Sequence, residues 1–342
     1  VHSALVGEPI FRIGDVWQKQ KVAKSLPSFV AQNPRSLVAK DPQRIFSMIQ
    51  QDIAFQSRGD TMAGAIFLPE TAVHFPTLLV CHGASEHKEN YYDMCRFLAA
   101  RGVATFAIDM HGHGQSGGER YYVQISDWVA DIRAAIDVLP KYPQIDPARI
   151  GALGLSSGGT AILEAAIVEP RLKTLIALAP TVCNSLSLGH SILFKLMALL
   201  GGIKRGLTGR DLRIPLIHMA KGVRFVADPE INRSVLARIE KEKPYLPLPG
   251  GTQSFLVDTI KRVGKITVPV LIIWGEKDEV DPLATGRLLY DTLKCKKTLE
   301  IIPGNGHATH LDRDHEKVFA LAASWASENL PAGPGNMSSG GR

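Results

Sequence analysis

Apolar positions along this chain fall into short blocks of two kinds. Residues 77–81, 103–108, 149–153 and 172–178 are nearly continuous apolar runs of strand length. Runs of that length, without polar alternation, are expected of strands buried on both faces. Residues 92–100, 126–139 and 160–166 lie between them and carry apolar residues at helical spacing. Ahead of these, residues 53–56 and 63–68 flank Arg58-Gly59-Asp60 and read as two strands joined by a turn. Strands that alternate with helices imply α/β architecture, a mostly parallel central sheet with helices on both faces. The alternation stops at Pro180. It resumes with an apolar strand at 269–274, then a helix, a strand at 298–302 and a final helix at 314–329.

The gap in the pattern sets the domain organisation. Residues 51–180 and 263–330 form one core, and residues 181–262, helix-like and irregular with a Pro-rich piece at 243–251, are an insertion between two sheet strands. Such an insertion is expected to sit as a helical cap over the C-terminal ends of the strands, where open α/β sheets bind ligands. Residues 1–50 read as an N-terminal helical extension. One amphipathic helix is expected over 16–30, ended by Asn33-Pro34, and a short one from Asp41-Pro42 through Ile49. Residues 331–342, rich in Gly, Ser, Pro and Asn, are expected to be a disordered tail.

Composition narrows the function. The chain has 342 residues, a net charge of +6 and scattered Lys and Arg without a dense basic run among aromatics, which argues against nucleic acid as a partner. Cys81, Cys95, Cys183 and Cys295 form no C-x-x-C pair and no zinc or disulfide framework. They favour a reducing, cytoplasmic setting, while the start at Val1 leaves room for a removed leader. The longest apolar stretch, 191–200, carries Lys195 and is too short to span a bilayer. The oligomeric state is open.

Gly154-Leu155-Ser156-Ser157-Gly158 lies between the 149–153 strand and the 160–166 helix. A G-x-S-x-G at a strand-to-helix turn exposes its serine on a sharp elbow, with small neighbours so that helix and strand can approach. A serine hydroxyl needs a base to take its proton and an acid to orient that base. Asp278 follows the 269–274 strand, and His307 follows the 298–302 strand inside Pro303-Gly304-Asn305-Gly306-His307. Both therefore belong at the edge of the sheet where the elbow lies, in the order Ser, Asp, His expected of a nucleophile-elbow hydrolase. Asp281 competes for the acid role, but before Pro282 it reads as the N-cap of the next helix. His310 and His315 compete for the base role; the glycines before His307 favour it. An oxyanion hole needs two backbone N–H donors. Ser157 and Ala84, the latter in the loop His82-Gly83-Ala84-Ser85-Glu86-His87 after the 77–81 strand, are the candidates, and His82 is expected to brace that loop.

Two other motifs carry less. Gly112-His113-Gly114-Gln115-Ser116-Gly117 fits G-x-G-x-x-G after a strand, yet this loop is not the first strand-to-helix turn of the sheet and lacks the acid ending the next strand that a dinucleotide site requires. His111 and His113 have no ligand cluster beside them in the sequence, so a polar loop is expected rather than a metal site.

These residues resemble the α/β-hydrolase superfamily and, within it, the monoacylglycerol lipase and lysophospholipase group of serine hydrolases. The resemblance covers roughly residues 51–330. It is carried by His82-Gly83-Ala84-Ser85-Glu86-His87, by Asp109 to Ser116 with Gly118-Glu119-Arg120, by the elbow, and by Asp278 with His307. Leu155 and Ser157 stand where the group carries His and Met, a departure that bears on acyl-group specificity. The resemblance implies a carboxylic-ester hydrolase working through an acyl-enzyme on Ser156, with Ala84 and Ser157 as oxyanion donors and no metal or organic cofactor. It implies a small-molecule or lipid-like ester as substrate, and a cap that admits acyl chains and can touch membranes. An amide, peptide or lactone hydrolase, or an acyltransferase, would use the same triad. A non-catalytic ligand receptor is the reading from outside the enzymes.

Overall fold

The computed structural model describes residues 46–70, 74–183, 188–220 and 222–331. A hairpin, β1 (Met48–Ser57) and β2 (Asp60–Pro69), opens the fold. β3 (Phe75–Cys81), α1 (Tyr92–Ala99), β4 (Ala104–Ile108), α2 (Ile125–Val138), β5 (Ile145–Leu155), α3 (Ser156–Val168) and β6 (Leu172–Leu178) follow. The insertion then contains α4 (Leu188–Thr208), β7 (Leu212–Pro215), α5 (Leu216–Ala220), α6 (Pro229–Glu242) and β8 (Tyr245–Leu248). β9 (Val270–Gly275), α7 (Leu283–Thr292), β10 (Lys297–Ile302) and α8 (His315–Asn329) complete the chain.

The main sheet has eight strands in the order β1-β2-β4-β3-β5-β6-β9-β10. The pairs β1/β2 and β2/β4 are antiparallel and the rest are parallel. Successive side chains of the apolar strands enter opposite cores, as the two-residue period requires. Leu79, Cys81, Ile272 and Trp274 pack with Trp128, Ile132 and Ile162 from α2 and α3. Leu78, Val80, Leu271 and Ile273 pack with Met94, Leu98 and Phe319 from α1 and α8. Strand order reverses at β3, whose neighbours are β4 and β5. That reversal opens a crevice at the strands' C-terminal ends. The loop after β3 and the elbow after β5 meet there.

Two expectations need correction. Met48 and Ile49 are not the end of a helix. As part of β1 they pair with Pro69 and Leu68 of β2, because a partner strand satisfies their backbone groups. Residues 1–45, with the helix expected at 16–30, lie outside the described residues, as do 332–342. The insertion also holds a two-stranded antiparallel sheet, β7 with β8, that the irregular pattern concealed. The ends of the insertion are joined where Ile260 N–H donates to Val182 O at 2.8 Å.

Candidate active site

The elbow forms because glycine is the only side chain that fits on either side of it. A Cβ on Gly154 would lie 2.5 Å from Gly158 O, and one on Gly158 would lie 2.3 Å from His82 O. Ser156 itself has φ of +50°, a left-handed conformation that strains a residue with a β-carbon. It begins α3, so the Ser157 N–H behind it belongs to the first helical turn and has no intrahelical partner. Among the described residues, neither the Ser157 nor the Ala84 N–H donates to a protein acceptor. Both residues line one cavity with Ser156 and His307.

The loop that carries Ala84 is braced from three sides. His82 Nδ1 donates to Gly83 O at 2.7 Å, and His82 Nε2 accepts from Met110 N–H at 2.9 Å, which fixes the tautomer. Glu86 Oε2 accepts from Gly83 N–H at 3.0 Å and from the Tyr91 hydroxyl at 2.7 Å. Burial works to raise the Glu86 carboxyl, but His310, Tyr91, Arg238 and the Gly83 N–H together hold it below the usual range. A buried pair, Lys88 and Asp109, ties this loop to the one after β4, with Nζ 2.9 Å from Asp109 Oδ2. Asp109 also accepts from the N–H of Lys88 and of Gln115, so the glycine-rich turn at 112–117 closes on a carboxylate. His111 contacts Asp60 and Asp131 in the same turn.

His307 Nδ1 donates to Asp278 Oδ2 at 2.8 Å, and both side chains are almost fully buried. Asp278 Oδ1 in turn accepts from the N–H of Val280 and Asp281. Burial acts to lower the His307 pKa, yet the Asp278 carboxylate, with Asp281 and Glu86 behind it, outweighs burial and pushes it up to about 9. Of the competing bases, His310 is buried, stacks on Tyr91 at 4.3 Å between centroids, and is lowered to about 4 chiefly by burial. His315 starts α8 and its Nδ1 donates to Asp312 O.

The Ser156 hydroxyl is not bonded to His307. Among the described residues, its hydrogen-bond partner is Thr181 Oγ1, at 3.3 Å. Thr181 Oγ1 donates to Asp281 Oδ2 at 2.7 Å. Asp281 is therefore not the cap of α7. Pro282 occupies the cap position with extended backbone, and the Asp281 side chain turns inward. Neither Thr181 nor this role of Asp281 was foreseen. Their partnership crosses 100 residues, which no local spacing records.

The cap closes the cavity with Leu216, Ala220, Ile239, Leu246 and Phe255, and the core adds Leu155 and Leu311. A mostly apolar cavity under the cap that ends on a serine, an imidazole–carboxylate pair and two unpaired N–H groups is the equipment of a hydrolase. The chain matches the model of the family described as Serine aminopeptidase, S33 over residues 74–314 and belongs to that family of α/β hydrolases. It is 24% identical over 265 residues to a monoacylglycerol lipase of Mycolicibacterium smegmatis, covering 74% of this chain and 88% of the relative. It is 29% identical over 270 residues to the monoglyceride lipase of Homo sapiens, covering 73% and 82%. Its fold is similar to that of the α/β hydrolase GrgF from Penicillium sp. sh18, with a TM-score of 0.70, 19% identity, and 82% and 99% of the two chains covered. The sequence-based expectation of a lipase-like α/β hydrolase thus stands.

Proposed function

We propose that this protein hydrolyses carboxylic esters with an apolar acyl group, through an acyl-enzyme on Ser156. The observation that carries the reading is convergence. Ser156, His307 and the residues bearing the two unpaired N–H groups all line one cavity that is mostly apolar, with Asp278 on the far side of the imidazole. Neutral His307 takes the proton as Ser156 Oγ attacks the ester carbonyl carbon. The Ala84 and Ser157 N–H groups receive the negative charge on the carbonyl oxygen. The tetrahedral adduct collapses, the ester C–O bond breaks, and His307 gives its proton to the leaving alcohol. Water, activated by His307, then releases the acid. Asp278 fixes the imidazole tautomer and stabilises its protonated form.

A p-nitrophenyl ester series from acetyl to palmitoyl tests this. Ser156→Ala is expected to lower kcat/KM by on the order of 10⁴-fold or more. Equal turnover by parent and Ser156→Ala would end the serine reading. A folded parent inactive on every ester would move the substrate to an amide or lactone.

The cap is also proposed to rest on a lipid surface. α4 exposes Leu188, Ile192, Leu196, Leu199, Ile203 and Leu207 at intervals of three or four, with Lys195, Lys204 and Arg210 exposed beside them. An exposed apolar stripe flanked by cations suits an anionic bilayer. Among the described residues, no helix is long and apolar enough to cross a membrane.

A further inference from the structure

Beyond the triad, we infer that Thr181 and Asp281 are positioning residues that hold Ser156 in a resting hydrogen bond and compete with His307 for its proton. The inference rests on the serine-hydrolase reading above. Thr181 follows β6 and is tied to the elbow helix. Thr160 Oγ1 donates to Thr181 O at 2.5 Å, and Thr181 N–H donates to Ser156 O at 3.4 Å. Its hydroxyl lies between Ser156 Oγ at 3.3 Å and Asp281 Oδ2 at 2.7 Å.

Asp281 is held as firmly. Its N–H donates to Asp278 Oδ1 at 2.9 Å, and its C=O accepts from Trp274 Nε1 at 2.9 Å. The carboxylate lines the cavity, is 3% exposed, and among the described residues has Thr181 as its side-chain hydrogen-bond partner. Helix capping does not explain it, and Asp278 already serves His307.

A hydroxyl carries one proton, and an ionised carboxylate only accepts. With Asp281 ionised, Thr181 spends its proton on Asp281. The proton in the Ser156–Thr181 contact must then come from Ser156. Asp281 also favours protonated His307, a form with no lone pair to receive the serine proton. Both effects of the ionised carboxylate keep Ser156 off its base. A neutral side chain able to donate at 281 reverses the chain: it donates to Thr181, Thr181 donates to Ser156, and the serine proton is left for His307.

Other titratable groups share this space. Asp278 faces from the loop after β9, His307 from the loop after β10, and Glu86 from the loop after β3. Cys183, two residues past Thr181, has a thiol raised by burial and then by Asp281. Burial pushes Asp281 itself up to about 6, so its charge changes in a range where activity can be followed.

The test is the rate at which a fluorophosphonate labels Ser156 between about pH 5 and 10, a span chosen to cover the shifted histidine and carboxylate. Parent, Asp281→Asn and Thr181→Val are compared, with Ser156→Ala as the blank and melting temperatures measured first. Asp281→Asn is expected to move the acid limb down by about half to one pH unit, raising the rate at neutral pH by about three- to tenfold. Thr181→Val is expected to leave the limb in place and speed labelling above it by about threefold, as the competing acceptor is lost. Thr181→Ser, which restores the hydroxyl, should reverse that gain. If Asp281→Asn does not fold, Asp281→Ser carries the same comparison. An unmoved limb in the neutral variant, or slower labelling in a stably folded Thr181→Val, overturns the inference. An unlabelled parent overturns the serine-hydrolase reading together with it; a labelled parent with an unmoved limb overturns the inference alone.

Discussion

Ser156 accepts a left-handed backbone, a conformation that costs about 1–3 kcal/mol in a residue with a β-carbon and persists only where its surroundings enforce it. The enforcing contacts are the tight approaches at Gly154 and Gly158, which is why this serine could be picked out from its neighbours alone. His307 and Asp278 were equally legible, each a few residues past an apolar strand. Asp281 was misread because an Asp-Pro pair before a helix has the look of a cap, whereas Pro282 itself takes that position. The His307 environment gives opposite pH trends for activity and stability. Its folded-state pKa is raised from 6.5 to about 9, as the Asp278 carboxylate overcomes burial. Its protonated form therefore stabilises the fold below 6.5, and that contribution is lost as pH rises through about 9. The proposed general-base role needs the neutral imidazole, so kcat/KM is expected to climb over the same range. The melting-temperature advantage of the parent over His307→Gln is expected to shrink from pH 6.5 to about 9. A pH-independent advantage would show that His307 is not held protonated.

Among the elements, the parallel strands and the helices flanking them follow from the apolar blocks, because burial on both faces leaves so plain a pattern. The cap was less legible. β7 and β8 are four residues each, are separated by two helices, and contain prolines at 215 and 247, so neither looks like a strand until the other is beside it. α4 packs on this pair at Gly201, where a Cβ would lie 2.5 Å from Leu248 O. Gly201→Val is expected to lift α4 from β8 and lower cap stability by about 1–3 kcal/mol. Faster limited proteolysis within the cap, with the core intact, would report it; unchanged proteolysis would show that α4 does not depend on that approach. The outer face of α4 makes a separate prediction. Leu199→Glu combined with Ile203→Glu should weaken sedimentation with anionic phosphatidylcholine–phosphatidylserine vesicles by about tenfold or more, while hydrolysis of a short, water-soluble ester is retained. Equal sedimentation of parent and variant would show that this face of α4 does not bind lipid.

Across the whole molecule, the site exists because strand order reverses at β3. That places the loop after β3, with Ala84, against the elbow after β5, with Ser156. β9 and β10 extend the sheet on the far side of β6 and deliver Asp278 and His307 to the same end. The alternation of elements foretold a parallel sheet and an inserted cap; the order of strands depends on pairings between distant segments that periodicity does not encode. Turnover on the proposed triad requires an ester bond to Ser156. Brief exposure to p-nitrophenyl butyrate, acid quenching and peptide mass spectrometry would trap it. A butyryl adduct is expected on the peptide containing Ser156, formed with a burst of p-nitrophenol and absent from Ser156→Ala. Hydrolysis without any adduct or burst, or an adduct on another residue that Ser156→Ala retains, would contradict it.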